Sequence, residues 1–236
     1  MNLFWFTLDQ LPFIILVMLI AFSVHEFAHA WTAWKFGDDT AYMEGRVTLN
    51  PMAHLDWIGM IFLLIAGFGW ARPVPVRRSR FKKPRLMSIL VTAAGPLSNL
   101  LLAFLGMLAI YILDATNTLG GLSFAMDETL RIFFTLWIRI NVLLFIFNLI
   151  PLPPLDGYRI VEEFAPIRLR MQMQRAEQWT AFIFLLLLFI PPLRAVTIGP
   201  LFALRIPIYY GMLNVLDFFF GPPSVNFIRW LSGLQL

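Results

Sequence analysis

Two histidines and a glutamate lie together in an apolar stretch near the beginning of the chain, as His25-Glu26-Phe27-Ala28-His29. Residues four apart share one face of an α-helix, one turn from each other, so both imidazoles can reach a single metal ion. The glutamate between them can then take a proton from a water molecule beside that metal. The pattern predicts a metal site for hydrolysis within a helix that is apolar enough to cross a membrane.

A hydrolytic zinc site needs three protein ligands and one open position. The chain contains no cysteine, so the third ligand must be a histidine or a carboxylate, and the candidates at a membrane boundary are Asp156, His54, Asp56 and Glu44. Asp156 is favoured because three prolines within residues 151–154 force an extended backbone just before it. A carboxylate at membrane depth is costly unless it is paired or metal-bound. His54 is the substitute if Asp156 is not the ligand.

The composition indicates an integral membrane protein. The chain of 236 residues is 59% hydrophobic and only 14% charged, and its mean hydropathy is +0.75, whereas soluble domains carry about 25% charged residues. We expect a single membrane-embedded domain over residues 1–236. Its catalytic core should cover about residues 11–160, with additional transmembrane helices at about 178–220.

Five apolar stretches come close to the roughly 20 residues that a transmembrane helix needs. A further run at 57–70 is too short to cross comfortably and contains three glycines, which favours a re-entrant or interfacial segment. Residues 45–49 alternate weakly and residues 70–76 contain two prolines, so each is predicted to be an edge strand or an extended segment. The expected fold is an all-α polytopic membrane protein of about five to six helices with a small re-entrant or β-strand element after the first. The five predicted spans are 11–34, 86–113, 132–151, 178–193 and 198–217.

The charges predict the orientation. Residues 72–85 hold seven Lys and Arg and no acid. A basic run can bind nucleic acid, but between two apolar segments it favours a cytoplasmic loop. The loop at 114–129 is acidic and the loop at 152–177 is again rich in arginine. We therefore expect the N-terminus outside, the site on the cytoplasmic side of a multi-pass cell-membrane protein, and no nucleic-acid partner.

Several motifs together resemble those of the site-2 proteases, a family of intramembrane zinc metalloproteases. Besides the HEFAH motif, the matching pieces run from about residue 20 to residue 160. No PDZ or CBS module is recognisable, so the chain is similar to the compact members. The motifs are HEFAH at 25–29, NPMAHLDWIG at 50–59, GWARPVPV at 69–76, AAGPLSNL at 93–100 and NLIPLPPLDG at 148–157.

The resemblance implies roles for particular residues. His25, His29 and Asp156 would bind one Zn²⁺ per chain, and Glu26 would be the general base. Asn148 is expected to hold the substrate or the oxyanion, since an amide donor suits developing negative charge, although a helix-helix hydrogen bond explains it equally well. Asn99 and His54 are further candidates for supporting the site or contacting substrate. Helix packing by a small-residue cluster explains Asn99 as well, and a plain interfacial position explains His54.

The resemblance also implies a substrate class and a pathway type. The expected substrates are single-pass proteins cut within the bilayer during regulated intramembrane proteolysis. A helical substrate must unwind first, and the extended segments near residues 45–49 and 70–76 offer an edge to which it could add as a β-strand. The alternative function is a membrane metal transporter or metal-binding scaffold, which would not need Glu26. A catalytically dead relative is a second alternative, and the intact Glu26 speaks against it.

Overall fold

The computed structural model describes residues 7–66 and 69–224, together with residues 227, 230, 231 and 234. The described part contains no β-strand, so the predicted all-α fold is confirmed. Its helices, in chain order, are α1 Leu11–Lys35, α2 Thr40–Met43, α3 Pro51–His54, α4 Trp57–Ala66, α5 Pro84–Ala115, α6 Phe124–Asn148, α7 Asp156–Phe164, α8 Ile167–Phe189, α9 Pro191–Phe202 and α10 Arg205–Phe220.

Helices α1, α5 and α6 pack against one another and form the centre of the molecule. Proline occupies the first turn of α1 and of α5. Backbone N–H groups in the first turn have no acceptor within the helix, so proline costs no hydrogen bond there. Ser123 caps the start of helix α6, and its hydroxyl accepts a hydrogen bond from Met126 N. After α1 the chain turns at Gly37, whose φ of +99° suits glycine.

Four stretches of the described chain are long and apolar enough to cross a membrane, judged by length and composition. Three of them are α1, α5 and α6, which confirms the spans predicted at 11–34, 86–113 and 132–151. The fourth, Pro191–Phe220, contains α9 and α10 with a break at residues 203–204, and it includes the span predicted at 198–217.

The prediction of a separate span at 178–193 is wrong within this set of helices. That stretch forms the end of α8 and the start of α9. The first half of α8 carries four charged residues, which occupy sequence that was predicted to be a loop. These charges keep α8 as a whole outside the helices that are apolar enough to span.

The predicted β-strand element is also wrong for the described residues, which contain only one isolated antiparallel bridge, Leu55 to Ala71. Side chains take the backbone groups that a ladder would use: Arg46 donates to Arg72 O at 2.5 Å, and His54 donates to Thr48 O at 2.7 Å. Prolines 73 and 75 have no N–H to donate. After Ala71, residues 72–77 belong to no helix or strand. Helix α4 has 10 residues, about 15 Å, and is too short to cross a bilayer of about 30 Å.

Two sets of contacts fix the helices that surround this centre. Buried apolar side chains of α5, α6 and α10 form the largest hydrophobic cluster, and Trp137 of α6 donates its indole N–H to Leu102 O of α5 at 2.7 Å. Helix α7 packs on α5, and its Glu163 accepts ion pairs at 2.8 Å from Arg78 and from Arg170. These bonds hold α7 beside the start of α5, where α7 contributes to the site.

Candidate metal centre

The imidazoles of His25 and His29 lie side by side on α1, and both are buried. Their Nε2 atoms are 3.0 Å apart, and the two rings meet edge to face. The four-residue spacing therefore places both Nε2 atoms close to the same point, as expected for one face of a helix.

Two acceptors on α5 fix the orientation of these rings. His25 Nδ1 lies 2.7 Å from Asn99 Oδ1, and His29 Nδ1 lies 2.8 Å from the carbonyl oxygen of Val91. A carbonyl oxygen only accepts, so each Nδ1 carries the proton and each Nε2 presents a lone pair. This is the arrangement that a second shell of hydrogen bonds imposes on metal-binding histidines.

Asp156, the first residue of α7, supplies the third group. Its Oδ2 lies 3.2 Å from His25 Nε2 and 3.4 Å from His29 Nε2. The N-terminal end of α7 favours a negative charge at this position.

Gly157 brings the start of α7 close to the end of α6. Gly157 is helical, and a Cβ there would stand 2.2 Å from Leu149 O. Its role is therefore close approach rather than an unusual dihedral angle. The proline segment before Asp156 was predicted to be extended, but it is turned, with Leu155 N donating to Leu152 O at 3.0 Å, and it carries Asp156 back toward α1.

The three side chains fit a zinc ion. Within the described residues they form the group of histidine and carboxylate ligands that could hold a metal. Asp156 Oδ2 is buried and makes no hydrogen bond, although it lies near two ring nitrogens. A bound cation would compensate the burial of this oxygen. Tetrahedral zinc with bonds of about 2.0–2.1 Å separates its ligand atoms by about 3.3 Å, close to the separations observed.

Gly95 of α5 lies directly against the two imidazoles. A Cβ at this position would stand 2.3 Å from His29 Nε2 and 2.7 Å from His25 Cε1. Only glycine lets α5 approach α1 this closely, so the motif that contains it is explained by steric access to the metal centre. No role for Gly95 was predicted from the sequence.

Asn141 of α6 is a second residue that the sequence analysis missed. Asn99 Nδ2 donates to Asn141 Oδ1 at 3.2 Å, and Asn141 Nδ2 donates to Trp137 O at 2.9 Å. Both amides are fully buried. The chain of bonds fixes Asn99 with its oxygen toward His25. A lone amide within an apolar span was the signal that could have identified Asn141.

Glu26 is buried beside the two histidines that flank it in the sequence. Its Oε2 accepts a hydrogen bond of 3.0 Å from the backbone N–H of Val74. The bond joins α1 to the segment 71–77, most of which was predicted to offer an edge for substrate binding. The carboxylate is therefore held by backbone from a segment 48 residues away.

The remaining candidates lie outside the three-ligand group. His54 is buried and bonds to Thr48 O, so the substitute ligand is not brought to the metal centre. Asp56 accepts from Gly59 N at the start of α4, and Glu44 is exposed after α2. Asn148 bonds back to Leu144 O of its own helix at 3.0 Å. Its proposed contact with substrate stays a prediction.

Comparison with known proteins identifies the family of the chain. The sequence model of peptidase family M50 matches residues 13–191. The chain is 48% identical over 199 residues to a Bacillus subtilis protein named "Putative zinc metalloprotease YwhC", an alignment that covers 84% of this chain and 89% of that protein. No solved structure matches the chain.

More distant relatives carry the same description under the name Rip2. The protein from Mycolicibacterium smegmatis is 32% identical over 180 residues, which are 74% of this chain and 66% of that protein. The protein from Mycobacterium tuberculosis is 31% identical over 185 residues, which are 74% of this chain and 65% of that protein. With the family model over most of its length and a metal centre that fits zinc, the chain belongs to peptidase family M50, the site-2 protease family, and is a multi-pass membrane zinc metalloprotease.

Proposed function

We propose that this protease cleaves the transmembrane segments of single-pass membrane proteins, as a step of regulated intramembrane proteolysis, with one zinc ion per chain. His25, His29 and Asp156 hold the metal and Glu26 is the general base. The observation that carries the proposal is the convergence of three ligand atoms from α1 and α7, all within 3.4 Å of one another. That convergence joins two motifs 127 residues apart in the sequence.

Zinc, when held by these residues, would supply a Lewis acid that lowers the pKa of a water molecule toward neutrality. Glu26 takes a proton at its carboxylate and later returns it to the leaving amine. Asn99 and Val91 hold the two imidazoles so that neither Nε2 carries a proton. Asn148 offers an amide N–H₂ to the oxyanion if its side chain leaves Leu144 O, whereas Asn99 is committed to His25, Ala21 O and Asn141.

The substrate binds as an added extended strand. Helical substrate cannot be cut until its backbone is freed, and an edge with unpaired groups replaces the bonds that unwinding breaks. Leu49 supports this proposal, because it is exposed and its backbone N–H makes no hydrogen bond within the described chain. We expect Leu49→Pro to raise the KM for a transmembrane substrate at least tenfold, while Leu49→Ala, which keeps the N–H, has a smaller effect. Equal KM values for the two variants would contradict strand addition.

The site faces the cytoplasm, and the N-terminus lies outside. Positive residues concentrate at the end of the bundle where α1 ends and α5 begins, and acidic residues lie near the start of α6. The absence of cysteine makes the orientation testable with single-cysteine variants. A membrane-impermeant maleimide should label Thr118→Cys in intact cells but label Ser79→Cys only after permeabilisation. The reverse labelling would overturn the orientation.

The central experiment compares wild type with Glu26→Gln. Both proteins are purified, placed in liposomes with a single-pass test protein, and assayed for cleavage and for zinc content. Glutamine keeps an oxygen that can accept from Val74 but cannot take the proton, so we expect zinc to remain and cleavage to fall at least 100-fold. Equal cleavage by both proteins would remove Glu26 from the mechanism. Zinc flux across the liposome that persists in Glu26→Gln would favour the transporter instead.

A further inference from the structure

The segment of residues 71–77, which we call the strap, is held by hydrogen bonds at both ends. At one end Arg72 N donates to His54 O at 2.8 Å. At the other end Arg77 N donates to Asp38 Oδ2 at 2.5 Å, and Asp38 is completely buried. The strap therefore crosses Glu26 as a fixed element, although it belongs to no helix or sheet.

The composition of the strap leaves a single hydrogen-bond donor at its centre. Pro73 and Pro75 have no backbone N–H, so Val74 N–H is the only one between Arg72 and Val76. That N–H donates to Glu26 Oε2 at 3.0 Å. A carboxylate has two oxygens that accept, so this bond engages one oxygen and leaves Oε1 for a proton.

Arg46 holds the peptide group that carries this N–H. Its side chain is buried, with 4% exposed, and its Nη2 lies 2.5 Å from Arg72 O and 3.4 Å from Pro73 O. Pro73 C=O and Val74 N–H belong to the same planar peptide group and point in opposite directions. The 2.5 Å bond fixes the preceding peptide group through Arg72 O, and the longer contact places the guanidinium on the oxygen side of the Pro73–Val74 peptide, whose N–H points to Glu26.

We propose that Arg46 is a positioning residue for Glu26, acting through the Pro73–Val74 peptide group, which fixes the carboxylate with Oε1 free to accept the proton. The inference rests on the proposed role of Glu26 as general base. It gives the GWARPVPV motif a function in the reaction: two prolines remove competing donors, and the arginine turns the remaining one toward the base.

The kinetic test uses substitutions of Val74 in the strap and of Arg46, neither of which is a metal ligand. We expect Arg46→Met and Val74→Pro to lower kcat about 100-fold, the effect of misplacing a reacting group by about 1 Å. The KM for the single-pass test protein and the bound zinc should stay at wild-type values. Arg46→Lys, which retains one charged donor, should recover at least a tenth of wild-type kcat.

Two further variants separate the N–H from the side chain. Val74→Ala keeps the N–H and should exceed the kcat of Val74→Pro at least tenfold. Val76→Pro places the same residue at a position whose N–H makes no hydrogen bond within the described residues, and should keep wild-type kcat. A kcat for Val74→Pro equal to or above wild type would overturn the proposal, because the reaction would then not need the N–H. Parallel losses of zinc and thermal stability in Arg46→Met would reduce Arg46 to a folding role.

Hydrogen exchange gives a readout that needs no substrate. A peptide covering residues 72–76 carries amide hydrogens at Arg72, Val74 and Val76. We expect Glu26→Ala and Arg46→Met each to expose one additional fast-exchanging amide there, and Glu26→Gln to expose none. Unchanged exchange in both Glu26→Ala and Arg46→Met would refute the positioning even if the protease is active. The predicted exchange with an inactive wild type would instead refute the proposed function and leave the geometry standing.

Discussion

The metal centre and the strap both contact the HEFAH segment of α1 and are built by different means. Helices carry the metal centre: α1 presents the histidines, α5 orients them and α7 adds the carboxylate. Side-chain bonds to backbone hold the strap, from Arg46, Asp38 and Glu26. The difference teaches that ligand geometry can rest on helical periodicity, whereas the general base depends on contacts between irregular segments.

The largest effect should come from the ligand that joins α7 to α1. We expect Asp156→Ala to lose stoichiometric zinc and to reduce cleavage more than 100-fold, because two imidazoles alone do not complete the three-ligand set. Zinc content of the purified protein is the measurement. Asp56→Asn and His54→Asn, at the rejected ligand positions, should keep their zinc. One equivalent of zinc in Asp156→Ala would break the assignment of the centre to helices α1 and α7.

Gly95→Ala tests the close approach of α5 to α1. The added Cβ would lie 2.3 Å from His29 Nε2, so one ring or one helix must move, at a cost of about 1–3 kcal/mol in unfolding free energy. Thermal unfolding in detergent and zinc content are the measurements. Gly211→Ala in α10 is the matched control, since a Cβ there meets nothing within 4 Å. Equal unfolding temperatures and zinc contents for the two variants would contradict the contact.

The amide chain behind His25 should have a smaller effect. Asn99→Ala removes the acceptor that fixes the His25 ring and should weaken zinc affinity about 10–100-fold. Asn141→Ala acts one bond further away and should weaken it less. Competition with a chelator measures both. Asn148 bonds only within its own helix, so Asn148→Ala should leave zinc affinity unchanged while lowering kcat. A loss of zinc affinity equal to that of Asn99→Ala would contradict the separate roles of the two amides.

The smallest effect concerns His54, which anchors the strap. Burial and the charge of Arg46 lower the pKa of His54 below its usual 6.5, while Thr48 O and Glu26 act in the opposite direction. A histidine with a lowered folded-state pKa contributes stability that is present above pH 6.5 and lost as the pH falls below it. The unfolding temperature of wild type should therefore drop more between pH 7.5 and pH 5.5 than that of His54→Asn. Identical drops would show that His54 titrates normally.

Much of the metal centre could be predicted from the sequence because helical spacing is local. His25, Glu26 and His29 lie within one turn of helix, and the proline segment before Asp156 marked a break at membrane depth. Asn99 was a candidate through its motif. Gly95 and Asn141 were missed because their roles depend on which helices pack together. The sequence of one apolar span does not show which residue of another helix a glycine or an amide will contact.

The strand element was wrong for a related reason. Weak alternation at 45–49 and two prolines at 70–76 indicate extended backbone, but they do not say what pairs with it. The structure pairs these segments through Arg46 and His54 rather than through a ladder. The separate span at 178–193 failed because apolar length was judged without the charged first half of α8.

The sequence by itself determined a membrane-embedded helical protein, a pair of imidazoles on one helix face and a base between them, since these follow from composition and from periods of a few residues. Tertiary structure alone decided that Asp156 is brought to both rings, that α5 fixes their tautomers and that the strap bonds to Glu26. Those contacts join residues 48–131 positions apart, and only packing can bring such distant residues together.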